Sequence, residues 1–256
     1  MESQTMNFNI WAIGDLHLSF GVPNKGMEAF GETWSNWTER LKSNWISSIK
    51  PQDLVLLPGD ISWATHLEDA IPDLKWIDKL PGTKVMIRGN HDYWWSSKSK
   101  VESILPPSLH IIQNNVFNFQ GVAIAGARLW DTAEFNFNAF IDVKEGTPAK
   151  KLAAYEAEDE KNGKIYAKEL IRLELSLKEL RDHASHRLCM THYPPLSASL
   201  ADSRASRLLE KYGIQTCVFG HLHSLKKGVS LFGEKNGVNY ALTSCDYLDF
   251  QPLKIY

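Results

Sequence analysis

Apolar runs at Phe8 to Ile13, Leu54 to Leu57, Val85 to Ile87, Leu188 to Met190 and Cys217 to Phe219 each stop at Gly, Asn, Thr or a side chain able to bind a metal. Short unbroken runs of this kind predict buried strands. Between the first two, Phe30, Trp34, Trp37, Leu41 and Trp45 recur at spacings of three and four. That predicts a helix with an aromatic face, ended by Pro51. A second helix is predicted over 66–80 through Leu67, Ala70, Ile71, Leu74 and Ile77, with Pro81-Gly82 as its stop. The order strand, helix, strand, helix predicts parallel strands joined by crossovers, an α/β protein.

Beyond His91 the pattern changes. Ile111-Ile112, Val116 to Phe119 and Val122 to Ala125 are short β-like pieces separated by Asn114-Asn115 and Gln120-Gly121, which suggests hairpins. Residues 131–163 are polar, with Gly146-Thr147-Pro148 and an acidic cluster from Glu156 to Glu160, and read as an insertion or lid. Over 165–181, Tyr166, Leu170, Leu173, Leu177 and Leu180 form the clearest helical stripe. It spans only about two heptads, so core packing is expected over a coiled-coil seam, with a homodimer left open. Val229 to Phe232 and Val238 to Leu242 return to β character around Asn236-Gly237.

The 256 residues, 43% of them hydrophobic, suffice for one domain, 1–256, with a substantial core. Twenty-eight basic against thirty acidic residues leave a net charge of −2, so no long-range field attracts nucleic acid or an anionic membrane. No run approaches a membrane span and the first residues lack a secretory pattern, which makes a cytoplasmic protein the expectation. Cys189, Cys217 and Cys245 are widely spaced inside apolar segments and read as reduced core residues rather than a zinc site.

The chemistry lies where the runs end, at Asp15-Leu16-His17, Gly59-Asp60, Gly89-Asn90-His91-Asp92, Thr191-His192-Tyr193-Pro194 and Gly220-His221-Leu222-His223. Strand ends are where α/β proteins build sites. Each block alone is unremarkable: Gly-Asp is an ordinary turn and a lone histidine is usually just a polar residue. Jointly, Asp15, Asp60, Asn90 and the block histidines need a common cause, which two divalent cations supply. Imidazole with carboxylate suits manganese, iron, zinc or cobalt. His66, His110, His183 and His186 lie outside the blocks and read as surface residues.

These blocks, in this order, resemble the calcineurin-like metallophosphoesterase superfamily, from Asp15 to His223. The resemblance implies a four-layer sandwich of two mixed β-sheets flanked by helices. It implies that Asp15, His17 and His223 hold one metal, that Asn90, His192 and His221 hold a second, and that Asp60 bridges them. It further implies attack of a metal-bridging hydroxide on a phosphomonoester or phosphodiester, with His91 giving a hydrogen bond or proton to the phosphate or leaving group. Asp92 reads as a loop or cap residue. The protein serine/threonine phosphatase branch continues Gly-Asp with Val-Asp-Arg-Gly, where this chain has Ile61-Ser62-Trp63-Ala64. Purple acid phosphatases place tyrosine at the position of Trp63 and glycine at that of His17. What remains is similar to small bacterial phosphohydrolases and phosphodiesterases.

Trp63, Tyr93 and Trp94 are candidate substrate contacts by stacking, with packing of the loop as the alternative, which extends to Trp95. Arg88 and Arg128 are candidates for a phosphate fork, with structural ion pairs as the alternative. Lys226-Lys227 reads as a solvated turn. Two other functions compete. A non-catalytic interaction module of the same fold would have lost ligands or the catalytic histidine, and this chain keeps them. A DNA nuclease would display clustered Lys and Arg, which the balanced charge does not suggest. The expected partner is a small phosphate ester, with no nucleic acid and no membrane span.

Overall fold

The computed structural model describes residues 6–142, 159–181, 184–226, 228–229 and 231–256. Most of the acidic cluster, Gly146-Thr147-Pro148, His183 and Lys227 fall outside them. The first sheet holds β1 (Ile10–Ala12), β2 (Leu54–Leu57), β3 (Thr83–Met86) and β4 (Leu109–Ile111), all parallel in that order. Helices α1 (Trp37–Ser48), α2 (Leu67–Asp78) and the short α3 (Lys98–Glu102) make the crossovers. The second sheet begins with β5 (Phe117–Phe119) and β6 (Val122–Ala127), an antiparallel hairpin across Gln120-Gly121. Helix α4 (Asp159–Lys178) leads to β7 (His186–Thr191), and α5 (Arg204–Lys211) to β8 (Thr216–Phe219). The hairpin of β9 (Gly233–Lys235) and β10 (Val238–Leu242) completes the order β5-β6-β7-β8-β10-β9. Finally β11 (Leu253–Lys254) adds antiparallel to β1.

Both sheets are therefore mixed, and three cores separate four layers. Alternation along β2 shows why the runs had to be wholly apolar. Leu54 and Leu56 face the inter-sheet core with Ile10, Val85, Ile124, Leu188 and Val218. Val55 and Leu57 face the helices, packing with Leu41, Trp45, Leu74 and Ile77. On the other side, Tyr166, Leu173 and Leu177 of α4 pack with Ala125, Cys189 and Cys217. The α4 stripe thus serves the core, while Ile171 and Leu175 of the same helix are exposed. All three cysteines are free and buried.

Several expectations need correction. The aromatic helix starts at Trp37, because Gly31 at φ 125° and Asn36 at φ 50° interrupt the segment before it, leaving short 3-10 turns. Phe30 consequently is exposed while Trp34 is buried. Ile111 belongs to a parallel strand of the first sheet rather than a hairpin. The β9 strand begins at Gly233, after the run from Val229 to Phe232 rather than within it. His110 is half-buried and stacked on Phe117, with rings 4.6 Å apart.

Helix α5 carries a reciprocal cap, in which Ser203 Oγ accepts from Ser206 N–H and Ser206 Oγ accepts from Ser203 N–H. Ser203→Ala should lower unfolding stability by about 1 kcal/mol, the usual value of an N-cap, read as an earlier midpoint in urea. No helix among the described residues is long and apolar enough to cross a membrane.

Candidate metal centre

The C-terminal ends of β1, β2, β3, β7 and β8 converge on one rim, and the backbone sews the two sheets together there. Gly14 N–H donates to Thr243 O at 2.7 Å, and Cys245 N–H to Gly14 O at 3.1 Å. The approach is too close for side chains at two motif glycines. A Cβ on Gly89 would stand 2.0 Å from Asp60 Oδ1, and one on Gly220 would stand 2.3 Å from Asp15 Oδ2. Asp15, His17, Asp60 and His221 all adopt positive φ, at 57°, 47°, 51° and 73°. The chain leaves the strand abruptly at these points and turns each side chain toward the rim.

Two groups result. Asp15, His17 and His223 bring ligand atoms within 4.8 Å of one another, as do Asp15, Asp60 and His192. Asn90 Oδ1 joins the second side, 2.6 Å from His192 Nε2 and 3.0 Å from His221 Nδ1. Asp60 lies between, with Oδ2 3.7 Å from His17 Nε2 and 3.5 Å from His192 Nε2. Its Oδ1 accepts the His91 backbone N–H at 2.8 Å.

The donor set fits cations. Burial holds His17 and His221 well below the ordinary imidazole range and His192 at about 3, so all three are neutral near pH 7. His192 Nδ1 donates to Pro58 O at 3.0 Å, which leaves Nε2 a bare lone pair facing the Asn90 amide oxygen. Two acceptors pointed at one another make sense around a positive ion. The buried Asp15 carboxyl is lifted to about 7 by desolvation, which His223 opposes and Asp60 reinforces. A cation alongside would reverse that cost.

Asp246 escaped the sequence reading. Its Oδ1 accepts from His223 Nδ1 at 2.8 Å, turning Nε2 toward His17 Nε2, 3.2 Å away. Burial opposes a charge on His223, yet Asp246, Asp15 and Asp60 together raise its pKa to about 9. The signal was present, since Asp246 follows the apolar end of β10 just as the block residues follow theirs, but no histidine accompanies it. Asp246→Asn should weaken metal affinity by about 10–100-fold while leaving the fold unchanged, as measured by competition with a metal-binding dye.

The remaining candidates separate. Trp63 stacks on His17 with ring centroids 4.9 Å apart and lies 4.5 Å from the His91 ring. Tyr93 is exposed beside His91. Trp94, by contrast, is buried, with Nε1 donating to Asp92 Oδ1 at 3.0 Å, so it packs the loop. Trp95 is likewise buried and donates to Gln113. Asp92 ties the loops together by accepting from the backbone N–H groups of Ile61, Ser62 and Gly89. Arg88 and Arg128 line a neighbouring cavity on the same rim. A larger cavity of about 590 Å³ opens beside His221, walled by Trp130, Phe135, Phe137 and Tyr193. Tyr193 lies over the His221 ring at 3.9 Å.

A family model described as calcineurin-like phosphoesterase matches residues 8–225. The fold is similar to that of a phosphopantetheinyl hydrolase from Mycobacterium tuberculosis, 14% identical over 96% of this chain and 95% of that one, with a TM-score of 0.54. A protein of unknown function from Aquifex aeolicus, also 14% identical, aligns over 97% of this chain and 96% of that one at a TM-score of 0.47. No curated protein matches the chain in sequence.

Proposed function

This chain belongs to the calcineurin-like phosphoesterase family, and from that premise we propose that it hydrolyses a small phosphomonoester or phosphodiester at a dinuclear metal centre. The observation that carries the reading is Asp60, whose Oδ2 faces His17 on one side and His192 on the other. Asp15, His17 and His223 would hold one cation, Asn90, His192 and His221 the other, and Asp60 would serve both. When bound, the pair supplies charge neutralisation at the phosphoryl oxygens and an activated water.

The protein's own groups do the rest. Pro58 fixes the tautomer of His192, which presents a lone pair inward, and Asp246 holds Nδ1–H of His223, so that its Nε2 would offer a lone pair once a cation displaces the proton. Burial lowers the pKa of His91, with Asp60 opposing and His223 reinforcing, so the ring is neutral and carries one proton to donate. That N–H can hydrogen-bond a phosphoryl oxygen, while delivery of a proton to the departing alkoxide requires the imidazolium, which Asp60 favours. Trp63 stacks against the His17 ring and packs beside that of His91, which fixes both faces. The alcohol portion of the ester would extend along the aromatic cavity beside His221.

The test is a panel of nitrophenyl phosphate, bis-nitrophenyl phosphate, cyclic nucleotides and glycerophosphodiesters, assayed with manganese, iron or zinc. Metal content is measured on the same sample. About two metal equivalents with turnover of one ester class is the expected result. A protein that binds no transition metal and turns over nothing would instead be an interaction module.

A further inference from the structure

Along the same rim, the ends of β3, β4 and β6 and one face of α4 enclose a second cavity of about 120 Å³. Arg88, Arg128 and Arg172 line it, against a single carboxylate, Glu169. That carboxylate is buried, and one oxygen, Oε1, serves two of the arginines, Arg128 Nη2 at 3.0 Å and Arg172 Nη1 at 2.5 Å. Arg88 has no hydrogen bond or ion pair among the described residues. The Nε atoms of Arg88 and Arg128 are both buried without an acceptor. Three guanidinium groups, that of Arg172 at the solvent side, and one carboxylate leave a net charge of +2 around a small, partly open cavity.

Such an arrangement is costly as it stands. A guanidinium stays protonated at any physiological pH, and a buried donor without an acceptor carries its full desolvation penalty. The rest of the lining, Trp95, Gln113 and Gly126 among it, brings no negative charge. An anion of two charges balances the enclosure, and arginine forks match phosphate oxygens in geometry. The space is sufficient, since one water needs only about 10–15 Å³ on this measure. The cavity wall is tied to the metal-ligand loops through the backbone. Arg88 immediately precedes Gly89-Asn90, and the Arg128 carbonyl accepts the backbone N–H groups of His192 and Tyr193 at 3.1 and 3.0 Å.

We propose that this cavity is an anion subsite that holds a second phosphoryl group of the substrate. The natural substrate then carries two phosphates, one hydrolysed at the metal ligands and the other held by Arg88, Arg128 and Arg172. A carboxylate, with one charge, would leave the pocket positive, whereas a phosphoryl dianion neutralises it. The substrate assignment rests on the phosphoesterase reading, while the affinity of the pocket for phosphate does not.

The experiment compares kcat/KM for a series of α,ω-alkanediol bisphosphates with that for the matching monophosphates. At the best chain length the bisphosphate should be preferred at least tenfold, and both Arg88→Ala and the half-exposed Arg172→Ala should cut that preference at least fivefold. No preference at any length, or an undiminished preference in both variants, overturns the proposal. In parallel, the metal-loaded full chain is titrated with inorganic phosphate by calorimetry. Each variant should bind one phosphate fewer than the parent, and equal stoichiometry overturns the subsite. Arginine-dependent phosphate binding in a protein that hydrolyses no ester would sink the phosphoesterase reading and leave the pocket standing.

Discussion

Replacing Asp60 by Asn is expected to lower kcat on nitrophenyl phosphate by about a thousandfold or more, with little effect on the melting temperature of the metal-free protein. The change keeps the shape of the side chain and the oxygen that accepts the His91 N–H at 2.8 Å. It removes the negative charge shared between His17 and His192. Charge stabilisation by a correctly held metal is worth several kcal/mol, and each ~1.4 kcal/mol is a decade in rate. Stability is spared because burial already disfavours the ionised Asp60 carboxyl in the metal-free fold, a cost that His91, His223 and Arg128 only offset. Metal content should fall in parallel with the rate. An Asp60→Asn protein with unaltered turnover would remove the bridging role altogether.

His91→Asn is expected to separate proton donation from metal binding. General acid catalysis contributes about 10²–10⁴-fold, so hydrolysis of an alkyl phosphate should drop by that much. Nitrophenyl phosphate should suffer far less, because nitrophenolate departs without a proton. Metal content should stay at the parental value, since the proposed ligand set of Asp15, His17, Asp60, Asn90, His192, His221 and His223 does not include the His91 ring. Loss of a metal equivalent would make His91 a ligand, and equal loss on both esters would move its hydrogen bond to the phosphoryl oxygen.

The strands that carry the site were readable because burial on both faces demands unbroken apolar runs, and β2, β7 and β8 fall where such runs lie. The blocks were readable because ligand types are rare in that density at strand ends. Tertiary choices were not. Trp63 and Trp94 are equivalent as letters, yet one stands against His17 and the other fills the core, a difference set by which loop folds over which. β11 is only two residues long and owes its existence to the free edge of β1, which no local pattern announces. Asp246 lacked a neighbouring histidine to draw notice. Glu169 lies on the buried face of its helix with Tyr166 and Leu173, a face whose stripe spoke only of packing, and its meeting with Arg88 depends on the two sheets being brought face to face.

The left-handed backbone at Asp15, His17, Asp60 and His221 has a consequence for any attempt to harden this protein. A non-glycine residue in that region costs roughly 1–2 kcal/mol, which glycine would recover. Four of the positions where glycine would relieve a left-handed backbone therefore hold side chains the reaction can least spare. Screening for thermal tolerance alone would drift toward a sturdier, inert scaffold, so selection has to demand turnover and endurance together.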